Sequence, residues 1–282
     1  MKTLQYISLS GLLIIAAIYS CEKIDPPYLE LTDKCVCDTL SVPIRKILLE
    51  EYTGHRCGNC PRAHEKAEEL HSIYCDQIIS VEIHAGFFAM PLAPFNADYR
   101  TTAGTGLDDY FEVSASGLPK GLVNRKELNG NIALAKDDWA AAIEQQLVAQ
   151  PEIDITIVNN YNASSGALET EIQSAFLKDM TGGLYLCVFM VEDSIVSLQK
   201  DYEAAPEDIE DYIHRNVLRT AVNGTWGDKI TSAPVNSGEV IIKTYNYAVD
   251  TTWNTEHVSV LAFIYNDETK GIIQAEQERI QP

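Results

Sequence analysis

Apolar positions change their spacing twice along this chain. Ile7 to Ile18 is an almost unbroken apolar run of 12 residues, interrupted only by Ser8, Ser10 and Gly11. From Ile44 the spacing alternates between strand and helix periods, and beyond Glu152 it settles into short apolar runs divided by turn residues. The first strand is expected over Ile44 to Tyr52, ending in Thr53-Gly54. Pro61 to Tyr74 reads as a helix because Ala63, Ala67, Leu70 and Tyr74 follow at intervals of 4, 3 and 4 residues, the period of one helical face. Ile78 to His84 is a second apolar strand. A helix between two strands predicts parallel pairing, since a crossover is needed to bring the chain back. A stretch rich in Gly, Pro and aromatics, Gly86 to Ser116, precedes a short strand at Gly121 to Arg125. An amphipathic helix follows over Ala135 to Ala149, with Trp139, Ile143 and Leu147 at every fourth place, and Pro151 closes the unit.

The later runs are Ile153 to Val158, Leu184 to Val191, Val217 to Val222, Val240 to Ala248, Val258 to Tyr265 and Ile272 to Ala275. Between them lie Ser164-Ser165-Gly166, Gly182-Gly183 and Asn223-Gly224, so an antiparallel, immunoglobulin-like sandwich of about seven strands is expected over 151–282. Asp201 to Asp211 is an acidic excursion read as a surface helix or loop. The early apolar run is too short to span a bilayer, which takes roughly 20 residues, and with Lys2 ahead of it reads as a signal peptide over 1–20. Ser20-Cys21 directly after it resembles the lipobox of bacterial lipoproteins, which implies that Cys21 is acylated and anchors the chain to a membrane. Residues 21–41, with Pro26, Pro27 and a Cys35-Val36-Cys37, read as a tether.

The chain carries 21 basic and 41 acidic residues, a net charge of −20. That sign repels phosphate backbones, so nucleic-acid binding is not expected. The sharpest chemical signal is Cys57-Gly58-Asn59-Cys60, set between the first strand and the first helix. At a helix start, unsatisfied N–H groups and the helix dipole stabilise a thiolate, which makes Cys57 the expected nucleophile. Cys60, one turn further on, is placed to resolve a mixed disulfide.

These residues resemble the thioredoxin-like superfamily, which implies an α/β thioredoxin-like domain over 42–150. The resemblance extends to Glu51, six residues before Cys57, where disulfide isomerases carry a proton-relaying carboxylate. It extends also to Gly117-Leu118-Pro119, where the family has a cis proline beside the CxxC that docks substrate. Arg56 stands where a Trp usually precedes the first Cys, and Pro61 where Lys is common. Three blocks, Leu48 to Pro61, Tyr212 to Gly227 and Ala262 to Ala275, resemble the Omp28-related outer membrane lipoproteins of Bacteroidetes-type bacteria. That resemblance implies an outer-membrane lipoprotein of the cell envelope with a thioredoxin-like and a β-rich domain.

In an oxidising envelope Cys35, Cys37 and Cys75 have no pairing that can be read from spacing, and Cys187 is expected as a buried free thiol. Neither a metal nor a cofactor is expected: a zinc site from Cys35, Cys37, Cys57 and Cys60 would need the poor spacing of Cys-x-Cys. His55 reads as a solvated neighbour of the CxxC, and His64 and His71 as surface or packing residues. Phe87, Phe88, Phe95, Tyr99, Tyr110 and Phe111 either cover a sheet edge or line a groove for a partner.

Two functions stand. One is a lipid-anchored thiol–disulfide oxidoreductase or isomerase acting on protein clients, with Cys57, Cys60, Glu51 and Pro119 at its site. The other is a surface binding or assembly module in which Cys57–Cys60 is a structural disulfide. Under both, Cys21→Ala is expected to abolish fatty-acid labelling in cells; unchanged labelling would remove the anchor.

Overall fold

The computed structural model describes residues 42–281, so the residues read as a signal peptide and a tether, Cys21 among them, lie outside the described residues. The chain from 42 onward is mixed α/β with sheet predominating. Strand β1 (Ile47–Thr53) leads through the CxxC turn into helix α1 (Pro61–Tyr74), and β2 (Ile78–His84) returns parallel to β1 with Glu51 opposite Glu82. Helix and second strand have the bounds the periodicity predicts. Strand β3 (Lys120–Val123) pairs antiparallel with β1, and α3 (Trp139–Leu147) follows.

Within the stretch read as irregular lies a further helix, α2 (Thr102–Phe111), whose N-cap Thr101 side chain accepts from the Gly104 N–H. Two glycines inside it lower helix propensity. Burial of Ala103 and Leu107 against the core outweighs that loss.

Beyond 150 the strands are β4 (Ile153–Asn162), β5 (Ala167–Phe176), β6 (Leu184–Glu192), β7 (Ile195–Lys200), β8 (Asp208–His214), β9 (Val217–Ala221), β10 (Asp228–Thr231), β11 (Val240–Ala248), β12 (Val258–Asn266) and β13 (Ile272–Arg279). They do not all close on one another. A single large sheet runs β13-β12-β6-β9-β2-β1-β3, with β10 alongside β6, so strands from both sides of residue 150 share one hydrogen-bonded surface. The junction is a short parallel contact in which Glu82 lies opposite Val217 and its N–H donates to the Asn216 carbonyl at 2.9 Å. A three-stranded sheet, β11-β5-β4, packs its Ile155, Ile172 and Phe176 on Val188, Met190 and Val260 of the large sheet. Of the acidic excursion, 201–207 is the loop of a β7–β8 hairpin and Asp208 to Asp211 begins β8, so its first part is a loop and its second a strand.

One face of the large sheet carries a continuous core: Leu48, Tyr52, Val81 and Ile83 from β1 and β2 pack with Phe189, Leu261 and Phe263 from β6 and β12. On the other face α1 and α3 cover Ile47, Leu49 and Ile78. Through the first core runs a fully buried ion pair. Arg125 donates to both Glu50 oxygens, at 2.6 and 2.8 Å, and its guanidinium lies 5.0 Å from the Phe263 ring centroid and 5.4 Å from that of Phe111. Removing one partner strands the other charge in the interior. Arg125→Ala is therefore expected to cost about 3–5 kcal/mol in denaturant unfolding, whereas a loss under about 1 kcal/mol, the surface-pair value, would show that the pair is solvated.

Candidate functional site

Cys57 and Cys60 form a disulfide at the start of α1, with Cα atoms 5.4 Å apart. Cys60 is the N-cap of α1 and Pro61 opens the helix, a position where the missing N–H costs nothing. The Leu118–Pro119 bond is cis and leads directly into β3. Glu51 is buried on β1, on the face covered by α1. Burial raises its carboxyl pKa well above the usual range, and repulsion from Glu82 and Glu68 adds to the rise. It lines a cavity of about 530 Å³ together with His64, Glu68, Glu82, Arg215 and Asn216.

Cys57, the expected nucleophile, is only 3% exposed and Cys60 0%. The β7–β8 hairpin covers them. The Lys200 N–H donates to the His55 carbonyl at 2.8 Å, the Tyr202 N–H to the Gly58 carbonyl at 2.9 Å, and the Gln199 side-chain amide to the Cys57 carbonyl at 3.1 Å. The Tyr202 ring lies so close over Gly58 that a Cβ there would collide with it. Arg62 of α1 holds the hairpin loop by donating to Asp201 Oδ2 at 2.7 Å. Tyr202 itself is 54% exposed, so the cover is thin at its outer edge. On the opposite side Arg56 stacks over Phe87 and donates to the Met90 carbonyl, while Phe87, Met90 and Leu92 stay exposed.

Beneath the cover lies a cluster that the sequence reading passed over. Ser80, Glu82 and His84 alternate along β2, which puts all three on the α1 face, and the hairpin brings Tyr212 and His214 down onto them. His64 is satisfied, bonded through Nε2 to Thr53 Oγ1 at 2.9 Å and through Nδ1 to the Tyr212 hydroxyl at 2.6 Å. It is buried rather than a surface residue. His55 is buried too, stacked on Phe95 with ring centroids 5.9 Å apart, and burial together with Arg56 lowers its pKa. Burial pushes the pKa of His84 down to about 3, and that of His214 well below the ordinary imidazole value, so both rings are neutral. The donor atoms of Glu82, His84 and His214 lie within 4.8 Å of one another. The period-two run of polar residues in an otherwise apolar strand was the available signal for Glu82 and His84.

Tyr99 packs edge-on to His84 at 5.0 Å between ring centroids, and Tyr110 and Phe111 pack on Trp226, so these aromatics do covering work. Cys187 is buried and free, as expected. Cys75 is disulfide-bonded; Cys35 and Cys37, whose pairing the sequence leaves open, lie outside the described residues.

The model of the outer membrane protein family Omp28 matches residues 105–282. The chain belongs to the Omp28 family. Membership places it at the outer membrane of the cell envelope, but the matched segment begins inside α2 and does not include the CxxC. Of the solved structures that resemble it, HBP35 of Porphyromonas gingivalis superposes with a TM-score of 0.59 at 14% identity, covering 85% of this chain and 76% of that one. A protein from Agrobacterium tumefaciens superposes with a TM-score of 0.51 at 11% identity, covering 86% and 97%. A domain of the outer membrane lipoprotein Omp28 from Porphyromonas gingivalis is 20% identical over 47% of this chain and 90% of its own, with a TM-score of 0.32. At such identities the likeness is one of fold. No curated protein matches. Among the described residues no helix is long and apolar enough to cross a membrane.

Proposed function

We propose that this Omp28-family protein is a lipid-anchored thiol–disulfide exchange protein of the cell envelope, whose CxxC centre is kept closed by its own β7–β8 hairpin. In this reading 42–150 is a thioredoxin-like domain and the strands after 150 form a sandwich-like partner to it. The carrying observation is the Cys57–Cys60 disulfide at the junction of β1 and α1, where the helix start favours a thiolate. A client thiolate attacks Cys57 Sγ and Cys60 leaves as a thiolate, giving a mixed disulfide. A second client thiolate then attacks the client sulfur and releases Cys57, so two electrons pass from client to protein. Glu51 enters as proton relay and Pro119 as docking element, with Cys21 as the lipid attachment.

One observation favours the alternative. With both sulfurs buried, Cys57–Cys60 would serve equally as a staple in a binding or assembly module, and fold alone does not choose. Removing the resolving thiol separates the two. Run in reverse, the Cys57 thiolate attacks a client disulfide and expels one client thiolate, and Cys60 then attacks Cys57 Sγ to expel the other. In cells, Cys60→Ser is therefore expected to accumulate mixed disulfides through Cys57, while Cys57→Ser accumulates none. Adding Tyr202→Ala to Cys60→Ser raises the yield. The half-buried ring contributes about 1 kcal/mol to closure, which is roughly a fivefold change in the open population. A staple predicts no adducts from any variant and an equal loss of about 2 kcal/mol from either Cys→Ser change.

A further inference from the structure

We infer that Glu82, His84 and His214 hold a divalent transition-metal ion, one that takes imidazole and carboxylate ligands, between the end of β2 and the hairpin. Two imidazoles and one carboxylate brought together are a donor set for zinc or ferrous iron. Their donor atoms lie within 4.8 Å of one another, and His84 Nε2 is 3.7 Å from Glu82 Oε2. Donors sharing one ion at metal–ligand distances of about 2.0–2.1 Å sit roughly 3.3 Å apart. Small side-chain rotations therefore close the site.

The second observation is polar and independent of that spacing. Both nitrogens of His84, both nitrogens of His214 and Oε2 of Glu82 are buried without a hydrogen-bond partner. Buried polar groups are ordinarily paired, and each exception calls for an unplaced water or ion. The neighbouring His64 is bonded at both nitrogens, and the His55 ring, also without partners, lies stacked between Phe95 and His84 outside the group whose donor atoms converge.

Surrounding groups orient the donors. Glu82 Oε1 accepts the Arg215 N–H at 3.3 Å, which leaves Oε2 turned to His84. The Leu198 carbonyl faces His214 without completing a well-formed hydrogen bond. Such outer partners are what fix ligand geometry at metal sites. Since His214 ends β8, the ion joins the sheet to the hairpin that covers Cys57–Cys60. The site itself stands whether or not the cysteines exchange.

The full chain, stripped with chelator and reloaded separately with Zn²⁺ or Co²⁺, is expected to retain one ion per chain and, with cobalt, to develop a visible ligand-field absorption. His214→Ala and Glu82→Gln each lower Zn²⁺ affinity by at least about a hundredfold, more than outer-shell changes do. The double variant Cys57→Ser/Cys60→Ser and the variant His71→Gln keep the ion. Glu82→Gln preserves the side chain's shape, so it serves as the deciding variant if circular dichroism shows His214→Ala unfolded. Less than half an ion per wild-type chain would overturn the assignment, leaving water in the site. So would binding unchanged by Glu82→Gln, or binding lost with the two cysteines.

Discussion

The C-terminal strands reach the CxxC because β9 hydrogen-bonds alongside β2. That pairing is short, a parallel contact at Glu82 and Val217, but it sets where everything upstream of β9 must lie. The chain leaves β8 at His214 and enters β9 at Val217, so β8 has to end beside the C-terminal end of β2. The hairpin then projects over the turn that holds Cys57 and Cys60. Glu82 sits at this junction with its backbone in the pairing and its carboxylate accepting from Arg215, which makes one residue both a structural hinge point and part of the buried cluster.

Two cores fix this arrangement. The buried Arg125–Glu50 pair, ringed by Phe111 and Phe263, ties β1 to α2 and β12 in an interior where an unmatched charge would be costly. The polar chemistry lies on the opposite face of the same strands, under α1 and the hairpin. One face is apolar and closed around the Arg125–Glu50 pair; the other gathers Glu51, Glu82, His64, His84 and His214 under α1 and the hairpin, with Glu51, Glu82 and His64 lining the cavity. The hairpin cover is held by backbone hydrogen bonds and Arg62–Asp201, with the half-exposed Tyr202 at its rim. Contacts of that kind open at lower free energy than a core strand does.

Local pattern was enough for α1 and β2, whose helical and strand periods are uninterrupted. It missed α2 because Gly104 and Gly106 mimic loop composition, and it missed β5 because the buried set Leu168, Thr170, Ile172, Ser174 and Phe176 mixes polar with apolar residues. The β7–β8 hairpin carries so many acids that its alternation is hidden. The CxxC and its helix were legible because they are local. Their cover was not, since it depends on sheet order that no short window contains. The histidine cluster was lost for the same reason: His84 and His214 are 130 residues apart in the chain.

Thiol–disulfide exchange requires Cys57–Cys60 to be a working dithiol couple. The direct measurement is its reduction potential, from equilibration of the full chain with glutathione or dithiothreitol buffers. Exchange places the couple between about −270 and −120 mV, the span of thiol–disulfide exchange proteins. A potential below about −300 mV, where structural disulfides of exported proteins lie, would contradict it.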